Sequence, residues 1–311
     1  MTAKPIVVLG VFVADTAYRA PRQPRLGETI LGESFALGPG GKGSNQAVAA
    51  ARAGGRVHML TRLARDAFGD LARRTWEEAG VLPAVIESDA GYTGAAFIFL
   101  EAGTGQNAII VCPGVAGDIA PADIDARADL IRGAGVFVTQ LEQPIPAAQH
   151  ALALARGAGV TTVLNPAPAA TLPEGMVALC DWITPNESEA EGVTGQPVTD
   201  PASAERAARI LSDMGARHVV VTLGGQGALL LSGGRATHVP ALDAGPVVET
   251  TGAGDAFNGG LAVALSEGMG PEEAVRFATA TAAISVTRPG TAPSMPSRAE
   301  IDALLARTRA A

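Results

Sequence analysis

Residues 248–260, with the sequence VETTGAGDAFNGG, have the composition of an anion-binding turn with one carboxylate. Gly252 and Gly254 lack Cβ atoms, so their backbone N–H groups can face a ligand at close range. We predict that a strand ends just before this turn and that a helix over 256–267 points its positive end at the same place. Asp255 is also a favoured N-cap residue, which leaves a purely structural role open. An anion cradle beside one carboxylate is, however, what phosphoryl transfer to a hydroxyl requires.

A second glycine turn, GPGGKGSNQ at residues 38–46, precedes an alanine-rich helix predicted over 47–53. Its Gly-x-Gly-x-x-Gly spacing matches the dinucleotide fingerprint. That fingerprint belongs to the first strand–helix turn and is followed by an acid after the next strand. Here the turn follows the second extended segment, and the next predicted strand ends in Thr61-Arg62 instead of an acid. These differences argue against nicotinamide binding.

The same turn does not match a P-loop, because Lys42 is followed by Gly43 where Ser or Thr is required. What remains is a turn that carries Lys42 and Asn45 at the start of a helix. The pattern fits either a ligand-binding turn or an ordinary loop with a solvated lysine.

The 311 residues are 47% hydrophobic and only 4% aromatic, which predicts a sizeable core of Ala, Val, Leu and Ile. The net charge of −8, with acids and bases interspersed, argues against a nucleic-acid partner. No apolar run has the length of a membrane span, and the N-terminus lacks the plan of a signal peptide. Cys112, Cys180 and the histidines match no metal-binding spacing, and both cysteines are expected to be buried thiols. We therefore expect a cytoplasmic enzyme or binding protein.

Strands and helices alternate regularly from about residue 121. The predicted strands are 136–141, 161–164, 181–184 and 218–223, and the predicted helices are 146–158, 187–194 and 201–215. This order predicts an α/β fold with a doubly wound, mostly parallel sheet. Active sites of such sheets lie beyond the carboxyl ends of the strands. Several polar residues of this chain follow predicted strands at that edge, among them Asp15, Glu142, Asn165 and Asn186.

Two regions do not fit the alternation. Residues 16–37 place Pro and Gly between short extended pieces, and residues 94–101 and 107–113 are predicted to form a hairpin. We expect a small separate sheet of about four strands, made from approximately 14–37 and 92–113, within a single domain over 1–311.

Together these motifs resemble those of the ribokinase family of sugar kinases, also called the phosphofructokinase B family. The resemblance covers nearly the whole chain. It rests on GGKG at 40–43, GAGD at 252–255, TPNESEAE at 184–191, NPAP at 165–168, TLG at 222–224 and VTRPG at 286–290. It implies a ribokinase-like fold whose small sheet is a lid that also makes a homodimer contact.

The resemblance also implies roles for individual residues. Asp255 would be the base that activates the primary hydroxyl of a sugar, next to an anion hole formed by the backbone of Gly252, Ala253 and Gly254. Sugar hydroxyls would be held by Asp15, Gly41, Lys42, Asn45 and Glu142. An Asn-x-x-Glu motif, formed by Asn186 and Glu189, would govern the binding of Mg²⁺ and phosphate. Glu189 would contact Mg²⁺ through a water molecule. ATP would be bound by Asn186, Thr222, Gly224, Gly225, Gly227, Gly254 and Thr279. A monovalent cation, K⁺, would be bound by loops that contain Glu249, Thr251, Ser285, Arg288, Gly290 and Ser294.

The residues themselves leave some of these roles open. Asn186, after Pro185, could be a plain helix cap, and the glutamates that follow it fit a solvated helix start. Two positions depart from the family pattern: Val13 stands where an Asn usually contacts ribose, and Glu249 stands where the cation loop usually has an Asp.

The sequence thus predicts ATP-dependent phosphorylation of D-ribose at its primary hydroxyl, to D-ribose 5-phosphate. The alternatives are a kinase of the same fold for another small polyol, such as fructose or a nucleoside, and a non-catalytic sugar or nucleotide sensor. A sensor would not need the base that Asp255 offers.

Overall fold

The computed structural model describes residues 4–308, which fold into two β-sheets flanked by α-helices. The strands are β1 (Ile6–Leu9), β2 (Val13–Ala20), β3 (Ser34–Gly40), β4 (Val57–Ala64), β5 (Leu82–Ser88), β6 (Thr93–Glu101), β7 (Asn107–Gly114), β8 (Val136–Thr139), β9 (Thr161–Leu164), β10 (Trp182–Ile183), β11 (His218–Thr222), β12 (Ala228–Ser232) and β13 (Arg235–Val239). The helices are α1 (Lys42–Arg52), α2 (Ala67–Ala79), α3 (Pro121–Asp125), α4 (Ala128–Arg132), α5 (Ile145–Gly157), α6 (Glu187–Thr194), α7 (Pro201–Asp213), α8 (Ala253–Ser266), α9 (Pro271–Ser285) and α10 (Arg298–Arg307).

The large sheet has nine strands in the order β13-β12-β11-β10-β9-β8-β1-β4-β5. Neighbours from β11 to β5 are parallel, whereas β12 pairs antiparallel with both β11 and β13. In β1, Ile6 and Val8 pack into the core on one face, while Val7 and Leu9 pack into the core on the other. Alternate side chains of a strand point to opposite faces, so helices cover both sides of this sheet. The predicted doubly wound, mostly parallel sheet is confirmed.

The small separate sheet has four strands, as predicted, in the order β3-β2-β6-β7. The predicted segments were 14–37 and 92–113. In the structure β2 begins one residue earlier, at Val13, β3 ends at Gly40, and β7 ends at Gly114. One face carries an aromatic cluster in which the ring centroid of Tyr18 lies 5.1 Å from that of Phe35 and 5.4 Å from that of Phe97. The exposed apolar side chains of this sheet are Tyr18, Phe35, Leu37, Phe97, Ile109, Ile110 and Val111.

The structure corrects the predictions around both glycine turns. The segment directly before Gly252 is not a strand. The N–H groups of Val248 and Glu249 both donate to the carbonyl of Val286 and do not pair with a neighbouring strand. Helix α8 begins at Ala253, three residues earlier than predicted. Helix α1 likewise begins at Lys42 and not at residue 47.

Of the predictions for the two cysteines, one is correct and one is wrong. Cys180 is buried as expected, whereas Cys112 lies exposed on β7, so the expectation for Cys112 is wrong. Edge strand β5 and the antiparallel pair β12 and β13 were not predicted. Within residues 4–308, no helix combines the length and the apolar character needed to cross a bilayer.

Candidate active site

The first glycine turn allows three elements to approach closely. A Cβ atom at Gly43 would lie 2.6 Å from the Cα atom of Gly10, so α1 meets the end of β1 backbone to backbone. A Cβ atom at Gly40 would lie 2.3 Å from Oδ2 of Asp15, so only glycine leaves room for that carboxylate. Gly41, at φ 87°, takes a left-handed conformation that favours glycine. The turn thus brings β1, the Asp15 strand and the first turn of α1 to one place.

A close contact between helices α1 and α8 brings residues from distant parts of the chain together at Asp255. A Cβ atom at Gly259 would lie 2.5 Å from Cβ of Ala49, so these helices pack with little side chain between them. As a result, Nδ2 of Asn45 donates to Oδ2 of Asp255 over 3.0 Å, and Nε2 of Gln46 donates to Oδ1 over 3.1 Å. Both carboxylate oxygens of a side chain that is 6% exposed therefore accept an amide hydrogen bond. Sequence analysis predicted Asn45 for this site and missed Gln46.

Lys42 lies near the carboxyl groups of Asp255 and Glu142, and Asp15 lies near Glu142. Burial raises the pKa of Asp255, and the charge of Lys42 and the amide donors of Asn45 and Gln46 oppose that rise. Burial also raises the pKa of Glu142 to about 7, opposed by Lys42 and increased by the charges of Asp255 and Asp15. The pKa of Asp15 is raised to about 6 by burial. Such a cluster is stabilised by a ligand that brings several hydroxyl donors.

The backbone holds Glu142 at this cluster. Its Oε2 atom accepts the N–H of Lys42 over 2.7 Å, which ties the segment after β8 to the first residue of α1. Asp15, Lys42, Asn45, Glu142 and Asp255, predicted from distant parts of the chain, therefore lie together.

The second glycine turn opens towards a cavity. Gly252, at φ 84°, is the N-cap of α8 and makes no side-chain cap. The N–H of Ala253 donates to the carbonyl of Thr250 over 3.2 Å, whereas that of Gly254 belongs to the first helical turn, whose N–H groups lack intrahelical acceptors. Apart from its chain neighbours and the backbone of its own helical turn, a Cβ atom at Gly254 would meet no heavy atom of residues 4–308 within 4 Å. Asp255 is the third residue of the helix, so the N-cap alternative is wrong.

Two adjoining cavities lie beside this turn. A polar one of about 150 Å³ is lined by Lys42, Asn165, Ala167, Thr184, Asn186, Glu189, Thr222, Gly252, Gly254, Asp255 and Asn258. A larger cleft of about 560 Å³ contains the predicted ATP-pocket positions Asn186, Thr222, Gly224, Gly225, Gly227, Gly254 and Thr279. The two share Asn186, Thr222 and Gly254, and the cleft has apolar walls that include Leu242, Val247, Phe257 and Val286. This shape suits a flat base in the cleft with its phosphates directed towards Asp255.

Asn186 and Glu189 form a capping box at the start of α6. Oδ1 of Asn186 accepts the N–H of Glu189 over 2.8 Å, and Oε2 of Glu189 accepts the N–H of Asn186 over 2.9 Å. The cap interpretation of Asn186 is therefore correct, although the residue also lines both cavities. Glu189 is 7% exposed, and burial raises its pKa.

The predicted cation loops lie side by side. Oε2 of Glu249 accepts the N–H of Gly290 over 2.8 Å. The hydroxyls of Ser285 and Ser294 donate to the carbonyls of Ala282 and Thr291, while Thr251 is exposed. The guanidinium of Arg288 pairs with Glu300 of α10.

A family model described as pfkB family carbohydrate kinase matches residues 3–298. The chain belongs to this family. The ribokinase of Haemophilus influenzae is 37% identical over 298 residues, which cover 96% of this chain and 97% of that protein. The deoxyribokinase of Salmonella typhimurium is also 37% identical, over 94% of this chain and 95% of its own length. The predicted family and the carbohydrate kinase class are confirmed.

Solved structures agree with this assignment. An Arabidopsis thaliana ribokinase complexed with ribose and ATP superposes with a TM-score of 0.93 at 32% identity, covering 98% of this chain and 99% of that one. A Thermotoga maritima ribokinase gives a TM-score of 0.88 at 35% identity, covering 97% and 99%. The ribokinase-like fold is therefore confirmed.

Proposed function

We propose that this protein phosphorylates D-ribose at its primary hydroxyl with ATP, forming D-ribose 5-phosphate. The observation that carries the proposal is the buried Asp255, which lines the small polar cavity next to Gly254, a residue shared by that cavity and the larger cleft. Lys42 lines the same polar cavity, Asn45 donates to Asp255, and Glu142 and Asp15 lie beside them. Relatives named ribokinase, and the similar Arabidopsis structure with ribose and ATP, support ribose as the acceptor.

The geometry suggests how each group acts. The oxygen of the sugar hydroxyl attacks the γ-phosphorus while Asp255 takes the hydroxyl proton, and the bond from that phosphorus to the bridging oxygen breaks to release ADP. The N–H groups of the 252–254 turn and the positive end of α8 stabilise charge on the transferred phosphoryl group. Asp15 and Glu142 accept hydrogen bonds from the other sugar hydroxyls, which fixes the attacking oxygen in place.

The residues present fit a magnesium ion that is held mainly by the nucleotide. Within residues 4–308, no three His, Cys, Asp or Glu side chains lie close enough together to bind a metal. Glu189 lines the polar cavity, and its Oε2 atom already binds the N–H of Asn186. It would therefore act on Mg²⁺ through a water molecule, and the ion would supply charge neutralisation at the phosphates.

The loops that contain Glu249 and Gly290 offer carboxylate, hydroxyl and backbone carbonyl oxygens, a set that suits K⁺. Ser285, Ser294, Thr251 and the backbone of Arg288 would complete it. A cation there would hold the loop before Gly252 against the loop after α9, and so steady the anion hole.

A second candidate substrate is 2-deoxy-D-ribose, and Val13 is the observation that favours it. Val13 and Asp15 are two residues apart in β2, so their side chains lie on the same face of the strand. Valine offers a sugar hydroxyl neither a donor nor an acceptor, and a buried hydroxyl without a partner costs about 1–3 kcal/mol, roughly 5- to 150-fold in affinity. The deoxyribokinase relative is as similar to this chain as the ribokinase relative.

A coupled ADP assay with ribose, 2-deoxyribose and fructose separates these candidates. We expect ribose to be the best substrate and Val13→Asn to lower its KM several-fold with little change in kcat, the pattern of a contact made equally in ground and transition states. A tenfold preference of the wild type for 2-deoxyribose in kcat/KM would transfer the assignment to the second candidate. Absence of ADP release with every sugar would favour a sensor.

We further propose that the small sheet closes over the sugar and pairs with a second copy. A four-stranded sheet with an exposed aromatic and aliphatic face is stabilised when that face is covered. Sedimentation should show a dimer at micromolar concentration, and Phe97→Lys with Ile110→Lys should shift it to monomer. Met214→Lys, which alters an apolar residue 42% exposed after α7, is the matched control and should leave the dimer intact. A wild-type monomer with full activity would refute this proposal.

A further inference from the structure

A continuous set of buried polar side chains, which we name the amide chain, lies behind Asp255. Its members are Gln140, Gln46, Asn165, Thr184 and Asn258, none more than 6% exposed. Nε2 of Gln140 donates to Oε1 of Gln46 over 2.6 Å, and Nε2 of Gln46 donates to Oδ1 of Asn165 over 3.1 Å as well as to Asp255. A Cβ atom at Gly10 would lie 2.4 Å from Oε1 of Gln140, so glycine there makes room for the outer end of the chain.

Backbone carbonyls fix the direction of every amide in this chain. Nδ2 of Asn165 donates to the carbonyl of Thr184 over 3.0 Å, and a carbonyl can only accept. The Oδ1 atom of Asn165 is thereby turned towards Gln46, which must present its N–H₂ group to it. The second hydrogen of that group then points to Asp255, and Oε1 of Gln46 is left to accept from Gln140. Rotation of the Gln46 amide by half a turn would place an oxygen against the carboxylate and break all three bonds.

The chain continues to the second glycine turn. Oγ1 of Thr184 donates to Oδ1 of Asn258 over 2.6 Å, and Nδ2 of Asn258 donates to the carbonyl of Gly254 over 2.8 Å. The same set of hydrogen bonds therefore holds the carboxylate of Asp255 and the backbone of the turn that precedes it. A buried network whose hydrogen bonds run in one fixed direction holds its members in one geometry.

The charged groups around Asp255 come from several elements. Lys42 of α1 is the positive one, while Glu142 after β8 and Glu189 of α6 are negative or neutral according to pH. Asp15 of β2 faces Glu142. Since burial disfavours the charged form of Asp255, the N–H donors on its oxygens oppose both desolvation and the neighbouring acids.

We propose that Gln46, oriented by Gln140 and Asn165, is a positioning residue that presents a fixed N–H donor to Asp255 and so holds the carboxylate aimed and in its base form. This inference rests on the proposed function, because it assigns Asp255 as the base. Gln46 is not among the residues that line the polar cavity or the larger cleft, so it acts only through Asp255.

The test compares pH profiles of kcat/KM for three Gln→Met variants. Gln46→Met should move the acid limb of the profile about one unit to higher pH and so lower kcat/KM on that limb by up to about 10-fold. Activity depends on the ionised base, so loss of a donor raises the pH at which the base forms, and activity recovers at high pH. Gln140→Met should shift the limb in the same direction by less. Because Gln140 acts through Gln46, the double variant should be no worse than Gln46→Met alone.

Gln143→Met is the matched control. Gln143 is also buried, at 2% exposure, and donates to the Thr139 hydroxyl and the Gln140 carbonyl without contacting Asp255. It should leave the acid limb unchanged, and thermal unfolding of all variants would show that each one folds. Equal profiles for Gln46→Met and Gln143→Met, or additive effects in the double variant, would overturn the inference.

A readout independent of activity separates this inference from the proposed function. In protein labelled with ¹³C-aspartate, the carboxyl signal that disappears in Asp255→Asn belongs to Asp255. Its titration midpoint should be higher in Gln46→Met than in the wild type or in Gln143→Met, by about one unit. Failure of the wild type to release ADP with any sugar would reject the function alone, whereas unchanged midpoints would reject the role of Gln46.

Discussion

The two glycine turns look alike in sequence and serve opposite purposes in the structure. Both place a glycine with φ near 85° at the N-cap of a helix, Gly41 before α1 and Gly252 before α8, and neither has a side-chain cap. In the first turn, Cβ atoms at Gly40 and Gly43 would collide with Asp15 and with the backbone of Gly10. The second turn opens onto a cavity. Absence of a side chain therefore permits packing in one turn and exposes backbone donors in the other.

The largest expected effect comes from the one carboxylate that the second turn carries. Asp255→Asn keeps the size of the side chain and removes the base, so kcat should fall by about 10²- to 10⁴-fold while the Kd for ATP changes little. Turnover and nucleotide titration check this. If the variant retained more than a tenth of wild-type kcat, the assignment of the base would be wrong.

A matched pair of substitutions tests the difference between the turns directly. Gly43→Ala should destabilise the protein by about 1–3 kcal/mol, because the new methyl group meets the backbone of Gly10. Gly254→Ala should leave stability equal or slightly higher, since alanine favours helix, yet lower kcat by about 10- to 100-fold by displacing the phosphoryl group.

Thermal unfolding and turnover of both variants decide the matter. The comparison of the turns fails if Gly254→Ala unfolds at a lower temperature with normal kcat, or if Gly43→Ala is as stable as the wild type.

A smaller effect should come from the loops that support the second turn. If K⁺ holds the Glu249 loop against the Gly290 loop, rates in potassium should exceed those in tetramethylammonium at equal ionic strength by about 3- to 10-fold. Glu249 reaches the same ion with one methylene more than the usual Asp, so the activation is expected to be modest. Glu249→Gln should weaken it, and Glu272→Gln, which removes a distant exposed acid, is the control. Identical rates in both salts would exclude the idea.

The smallest effect concerns the acids beside the first turn. Asp15 and Glu142 have pKa values raised to about 6 and about 7 from their ordinary 3.8 and 4.5. Their contribution to the free energy of unfolding is present in full below the ordinary values and is lost as pH rises through 6 and 7. The melting temperature of the unliganded protein should therefore decline between about pH 4 and about pH 7, and Glu142→Gln should flatten that decline by about 2–5 °C. Parallel melting curves for the two proteins would contradict this.

Acids whose pKa is lowered in the folded protein change its stability at lower pH than Asp15 and Glu142 do. Asp66, held by backbone donors, and Glu300, paired with Arg288, lose their stabilising contributions only as pH falls below about 4. A decline between about pH 5 and about pH 7 would therefore report on the site and not on surface pairs.

Much of the fold was predictable because local pattern and burial agree. Strand β9 and helix α6 lie where apolar runs and a Pro-Asn cap predicted them, and the hairpin of β6 and β7 follows its glycine-rich turn. The segment before Gly252 was wrongly predicted as a strand. An extended segment becomes a strand only if a neighbour pairs with it, and here a single carbonyl of Val286 takes two of its N–H groups.

By itself, the sequence determined the family, the alternation that builds a parallel sheet, and the chemistry of Asp255 at a glycine turn. These follow from residues that are close in the chain, where spacing carries the information. Only the tertiary structure revealed that Gln46, Gln140 and Asn258 support that carboxylate and its turn. An amide in a helix or at a strand end looks the same whether it faces water or a buried acid. Its partner is decided by the close contact of α1 with α8, where Gln46 meets an aspartate 209 residues away.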